Sequence, residues 1–198
     1  MELLILARHG ESEYSARGLL NGDASVEVGL TDAGVRQAQA LGRALAGTAI
    51  NLCVTTELLR TRWTAEEALA GRDVPYETWP ELNDPRAGSY EGQHLDAYRE
   101  WAWAAGSAEA APGGGESRHD AVARYARAYR SLLERPEPTI LAVVHALPIA
   151  YVLRALDGSA PSARIDQPVE YAQPHRLDSA ALRRALALLE RWCAAPTW

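Results

Sequence analysis

Two unbroken apolar runs constrain this chain more than anything else in it: Leu3-Leu4-Ile5-Leu6-Ala7 near the start, and Ile140-Leu141-Ala142-Val143-Val144 much later, preceded by Thr139. Neither run has a polar face to offer water, and each is too short for a buried helix. Such segments read as strands buried on both faces of a parallel sheet. Parallel strands need crossovers, and amphipathic stretches supply them. Thr31 is placed to cap a helix carrying Val35, Ala38, Leu41 and Leu45 at helical spacing, closed by Gly47. Residues 50–56 read as a second strand, and residues 58–70 as a helix ending at Gly71. Residues 74–79 read as a short strand, with Pro75 suiting an edge. From 80 to 116 the pattern breaks into a lid-like excursion over one end of the sheet, with a helix near residues 95–104. Ser117 with Asp120 opens a long helix to about Arg135. Residues 147–156 form a helix with Pro148 in its first turn. Two short strands or a hairpin are expected over 164–177, and Ser179 is expected to cap a last helix over 180–193. The alternation predicts an α/β three-layer sandwich, a mostly parallel central sheet flanked by helices, as one domain over residues 1–198.

Composition removes several function classes. The chain holds 20 basic residues, every one an arginine, and its formal net charge is −6. Without lysine there is no phosphate-loop lysine, no Schiff-base lysine and no lysine nucleophile. No basic stripe tracks a nucleic-acid backbone, so nucleic acid is not an expected partner. Cys53 and Cys193 lie far apart, with no ligand-like or redox-like spacing, which suits a reducing compartment and no metal site. No run is long enough for a membrane span, and the residues before Arg8 carry no basic leader, so a cytoplasmic location is expected and no membrane partner. Monomer and homodimer stay equally open.

Fold logic alone brings two histidines together. Ligands of open α/β sheets sit at the carboxyl ends of the strands. The first apolar run leads into Arg8-His9-Gly10-Glu11-Ser12, and the later one ends at His145. Gly10 is expected to permit a close backbone approach to a ligand. The helix after His145 points its positive dipole end at the same rim, which suits an anion.

These residues carry a resemblance. Arg8-His9-Gly10-Glu11-Ser12 resembles the signature of the histidine phosphatase superfamily, which includes the cofactor-dependent phosphoglycerate mutases. Four further blocks follow in the family's order. They are Leu30-Thr31-Asp32-Ala33-Gly34 with Gln37-Ala38; Leu58-Leu59-Arg60-Thr61 with Thr64-Ala65-Glu66; Leu82-Asn83-Asp84 with Gly88 and Glu91-Gly92; and Gly115-Glu116-Ser117 with Val143-Val144-His145. The resemblance implies a phosphoglycerate mutase-like fold and catalysis without a metal or other cofactor. It implies that His9 attacks phosphorus, that Arg8, Arg60 and His145 hold the phosphoryl oxygens, and that Asp84 protonates the leaving oxygen. The chemistry suits those types. A neutral imidazole is a competent nucleophile, and phosphohistidine divides one hard displacement into two easier ones. Guanidinium forks and a protonated second histidine match the charge spread over the equatorial oxygens. An acid in Asp84's role needs a raised pKa, expected from burial.

Some alternatives remain open on sequence. Glu81 competes with Asp84 for the acid role, and Arg60 has Glu57 nearby as an ion-pair partner. Glu11 either caps a structural element or tunes His9. Three departures from the family pattern bear on the site: Ser15 stands where the family has asparagine, with Asn21 able to compensate. Ala146 stands where glycine follows the second histidine, and Asp84 stands where many relatives carry glutamate. Ser15, Asn21, Ala146, Glu11 and Tyr90 are the expected substrate-binding residues, with Arg86, Arg118, Trp101 and Trp103 as candidates for the non-phosphate part. The short excursion and absent lysine favour a phosphatase acting on a small phosphorylated metabolite. A mutase-like phosphotransferase and a silent phospho-ligand-binding relative are the alternatives.

Overall fold

The computed structural model describes residues 1–165 and 167–198. The first apolar run is strand β1 (Leu3–Arg8) and the later one is β4 (Thr139–Val144); between them lie β2 (Leu52–Thr55) and β3 (Tyr76–Thr78), and β5 (Pro174–Asp178) follows. The sheet order is β3-β2-β4-β1-β5, parallel throughout except for β5, which runs antiparallel to β1. β3 takes an edge, as Pro75 suggests.

The unbroken apolar runs are explained by two cores. Successive side chains of a strand point to opposite faces. Leu4 and Leu6 of β1, with Ile140, Ala142 and Val144 of β4, face a core covered by α5 (Arg118–Leu133), α6 (Ala146–Leu156) and α7 (Ser179–Ala194). Ile5 and Ala7, with Leu141 and Val143, face a second core under α2 (Asp32–Ala44) and α3 (Leu59–Ala68). Burying each of the leucines, isoleucines and valines among them contributes about 1.5–3 kcal/mol, so a polar residue on either face of β1 or β4 would open one core. Helix starts follow the expected chemistry: the Thr31 hydroxyl accepts from Gly34 N, and the Ser117 hydroxyl from Asp120 N.

Two expectations fail locally. Among the described residues of 164–177 no hairpin forms. β5 pairs with β1 alone, preceded by a single bridge between Arg8 and Tyr171, because β1 already has β4 on its other side. Asp166, inside that stretch, lies outside the described residues. The last helix is capped by Asp178, whose carboxylate accepts from Ala181 N, so Ser179 is its first residue. Between β3 and α5 the chain makes two 3-10 turns and helix α4 (Leu95–Ala104), the helix predicted there.

Candidate active site

β1 and β4 lie side by side in register, Arg8 opposite Val144, so the next residues meet at one rim. His9 N donates to Val144 O at 2.9 Å, and the His9 and His145 ring centroids are 5.3 Å apart. Arg60, in the first turn of α3 beyond β2, reaches the same point. These three side chains are almost wholly buried.

Gly10 permits a close approach within the protein itself. A Cβ on Gly10 would come within 2.5 Å of Gly34 O, and one on Gly34 would collide with Glu11 O. The loop after β1 and the start of α2 touch backbone to backbone, which couples the first two sequence motifs. Gly10 N donates to Thr64 Oγ1 at 2.9 Å, and Thr64 donates to Arg60 O, so α3 is pinned to the same loop.

Hydrogen bonds set the form of each imidazole. His9 Nδ1 lies 2.7 Å from Gly10 O, while Arg60 Nε donates to His9 Nε2 at 3.0 Å. A carbonyl oxygen only accepts and a guanidinium only donates, so Nδ1 carries the proton and Nε2 keeps its lone pair. Burial, then the Arg60 and Arg8 charges, hold the His9 pKa well below the ordinary histidine value. His145 Nε2 sits 2.9 Å from Thr56 Oγ1, and its Nδ1 lies 3.3 Å from Arg60 Nη2. Burial, Arg60, His9 and Arg8 likewise push His145 well below its ordinary value. Burial first, and then these neighbours, oppose the charge expected on a protonated second histidine.

Arg60 is saturated. Besides His9 and His145 it donates to Asn21 Oδ1 at 2.6 Å, Asn21 O at 2.9 Å and Asp84 Oδ2 at 3.2 Å. Glu57, its sequence neighbour, instead accepts from Asn83 Nδ2 at 2.8 Å. Asn83 also fixes Asp84. Its carbonyl accepts from Tyr125 Oη at 3.1 Å and Arg124 Nη1 at 3.0 Å, both on α5. Burial raises the Asp84 pKa, opposed by the Arg60, Arg8 and Arg118 charges, and the side chain keeps 24% exposure. Glu81 is exposed and lines no part of the cavity. Glu91 accepts from Gly22 N at 2.8 Å and Ala87 N at 2.7 Å, tying the Asn21 loop to the Asp84 loop.

These groups open into a cavity of about 520 Å³. Arg8, Ser15, Asn21, Asp84 and Ala146 all line it, as do Trp103 and Arg118. Arg8 donates to Val169 O at 2.8 Å, and its guanidinium lies 3.8 Å from the Tyr171 ring centre. Ser15 Oγ shares a 2.9 Å hydrogen bond with Ser12 Oγ. Asn21 spends its amide on Arg60 and Asp23 O, so it positions Arg60.

Four expected contacts lie elsewhere. Glu11 is not at the cavity: its carboxylate accepts from Thr31 Oγ1 at 2.8 Å, the structural alternative. Tyr90 and Trp101 pack against Tyr98 and each other rather than lining the cavity, because the excursion needs its own small core. Arg86 is exposed. Sequence reasoning missed Thr56, Thr64, Tyr171 and Val169. Thr56 follows the end of β2 and precedes α3, a usable signal, whereas Thr64 lies within α3 and Tyr171 and Val169 sit in an irregular stretch that carries none.

Among the described residues no three His, Cys, Asp or Glu side chains gather as a metal site, and no helix is long and apolar enough to cross a membrane. What gathers is a dense cluster of guanidinium and imidazole groups around an unprotonated imidazole nitrogen, an arrangement chemically suited to a phosphoryl group at the rim of an α/β sheet. Comparison with known proteins agrees. A family profile described as "Histidine phosphatase superfamily (branch 1)" matches residues 4–191. The chain belongs to that superfamily. It is 33% identical over 175 residues to the adenosylcobalamin/alpha-ribazole phosphatase of Escherichia coli, covering 83% of this chain and 85% of that one. It is also 33% identical over 171 residues to a 2,3-bisphosphoglycerate-dependent phosphoglycerate mutase of a Methylobacterium species, covering 79% and 81%. The crystal structure of the alpha-ribazole phosphatase from Shigella flexneri superposes with a TM-score of 0.76 at 29% identity, over 89% of this chain and 90% of that one.

Proposed function

We propose that the protein is a phosphomonoesterase that moves the phosphoryl group of a small metabolite first to His9 Nε2 and then to water. The observation that carries this reading is the His9 tautomer: Nδ1 bonded to Gly10 O leaves Nε2 unprotonated and directed at Arg60. Arg8 and Arg60 would grip the equatorial oxygens, with His145 beside them. An incoming dianion competes with Asp84 for Arg60. Released from its cation, the part-buried carboxyl takes up a proton more readily, which suits a donor to the leaving oxygen. The same dianion raises the pKa of His145 and allows it to become cationic. The carboxylate left after the first transfer is then the base for the attacking water.

The excursion over residues 80–116 acts as a lid in this reading, and two free cysteines accord with a cytoplasmic enzyme. A mutase is the second reading, favoured by the Methylobacterium relative. It would require priming by a bisphosphorylated cofactor and would yield an isomer instead of inorganic phosphate. The chain's short excursion and lack of lysine favour the phosphatase.

The test is phosphate release from p-nitrophenyl phosphate with EDTA present, native protein against His9→Ala. Turnover that resists EDTA and vanishes in the variant supports metal-free histidine catalysis. Turnover that survives in the variant removes His9 as nucleophile.

A further inference from the structure

The phosphoryl seat uses only the floor of the cavity. Seven buried side-chain nitrogen or oxygen atoms among the described residues lack a hydrogen-bond partner. Three of them, Arg8 Nε, Tyr98 Oη and Arg118 Nε, belong to residues lining this one cavity. Buried polar atoms are nearly always paired, so this gathering leaves unused hydrogen-bonding capacity at one cavity. Arg8 belongs to the seat beside His9; the other two stand apart from it.

Arg118 is the first residue of α5. Its guanidinium lies 5.5 Å from the centre of the Tyr98 ring, and its one side-chain hydrogen bond is a long donation to Tyr151 Oη at 3.4 Å. It bonds none of His9, Arg60 or His145. Arg118 lines the same cavity as Asp84, and its charge acts to lower the Asp84 pKa. The charged residues lining the cavity are Arg8, Arg60, Arg99, Arg118 and a single carboxylate, Asp84. Among the described residues, Asp84 answers Arg60 and Asp96 answers Arg99, while Arg118 has no carboxylate within 4.0 Å. A cation held in a cavity wall without a counter-charge is unfavourable until a ligand supplies one. A guanidinium fork suits an oxyanion best.

We propose that Arg118, with the Tyr98 hydroxyl beside it, forms a second oxyanion subsite, and that the physiological substrate is a phosphomonoester whose leaving group carries its own carboxylate or phosphate. This rests on the phosphatase reading and extends it from a reaction to a substrate class. Tyr98 and Trp103 add aromatic surface on the same side, so aryl esters are suitable probes.

The experiment compares kcat/KM for phenyl phosphate with that for 3- and 4-carboxyphenyl phosphate and for 1,3- and 1,4-phenylene bisphosphate. Native protein is expected to favour at least one of the esters carrying a second oxyanion over phenyl phosphate by about tenfold or more, the value of one charge-assisted hydrogen-bonded contact. Carboxylate and bisphosphate arms tell which oxyanion fits. In Arg118→Gln the ratio falls to about one; Arg118→Lys restores part of it; Tyr98→Phe lowers it by a smaller factor. Taking the ratio within each variant cancels any change in Asp84 protonation, and turnover of phenyl phosphate shows that each variant is folded. Native protein with no preference, or a preference that survives in Arg118→Gln, overturns the subsite. Failure of the phosphatase reading looks different: native protein would hydrolyse none of the esters, and this proposal would fall with it.

Discussion

The floor and the outer wall of the cavity are built on opposite terms. The floor comes from the ends of β1 and β4 and the first turn of α3, and apart from Arg8 Nε its polar atoms are closely paired: Arg60 alone meets Asn21, His9, Asp84 and His145. The outer wall comes from α4, the start of α5 and the irregular stretch before β5, and it leaves Tyr98 Oη and Arg118 Nε unpaired. The floor is preorganised for one group, with little to rearrange when it arrives, as electrostatic stabilisation of a transferring phosphoryl group requires. The wall keeps its hydrogen-bonding capacity for whatever is attached to that group. Chemistry and selectivity thus occupy different parts of the fold.

The sharpest way to break this division is at Asp84, which belongs to both parts. Asp84→Asn should lower kcat/KM by roughly 10²–10⁴-fold on alkyl phosphates, the usual worth of a positioned acid. On p-nitrophenyl phosphate the loss should be far smaller, because that leaving group needs no proton. The pH profile carries a matching sign. The depressed His9 pKa keeps the nucleophile neutral well below the ordinary histidine value, so the acid limb lies there; the raised Asp84 pKa loses the donor proton as pH rises, so it sets the alkaline limb. Asp84→Asn should erase the alkaline limb and spare the acid one. Equal losses on both ester types would remove Asp84 as the donor. Asp84→Ala should also unfold more easily, since breaking a buried pair leaves Arg60 uncompensated, at a cost of about 3–5 kcal/mol less whatever its 24% exposure screens.

A smaller effect separates positioning from contact. Asn21→Ala removes an acceptor from a charged donor, worth about 1.5–3 kcal/mol, and should lower kcat by roughly 10–100-fold with little change in KM. A rise in KM alone would instead return Asn21 to the substrate contacts expected from sequence. The smallest effects belong to Glu11→Gln and Tyr90→Phe, which should leave kcat/KM within about twofold. Glu11→Gln should lower thermal stability by about 0.5–1.5 kcal/mol through the Thr31 contact. A large activity loss in either would show that the cavity extends further than the floor and wall described.

Legibility in the sequence follows the same line. β1, β4, the Thr31 and Ser117 caps and α4 were readable because buried strands and helix starts are decided by neighbours in the chain. His9 and His145 followed from where those strands end. The wall was not readable, because Tyr90 and Tyr98 look alike in sequence while one packs and the other lines the cavity. The stretch before β5 misled for a related reason: its course is set by a vacant edge of β1 and by Arg8, which donates to Val169 O and stacks on Tyr171. The lowered pKa of His145 was hidden too, since it depends on burial and on cations contributed by separate elements.

The claim beneath all of this is that phosphorus is transferred to His9 Nε2. Native protein mixed with p-nitrophenyl phosphate, quenched within its first turnovers under alkaline denaturing conditions and analysed by mass spectrometry, should carry one acid-labile phosphoryl group, mapped to the peptide containing His9 and absent from His9→Ala. A native protein that turns over with no such adduct, or that carries it on another residue, would contradict the account.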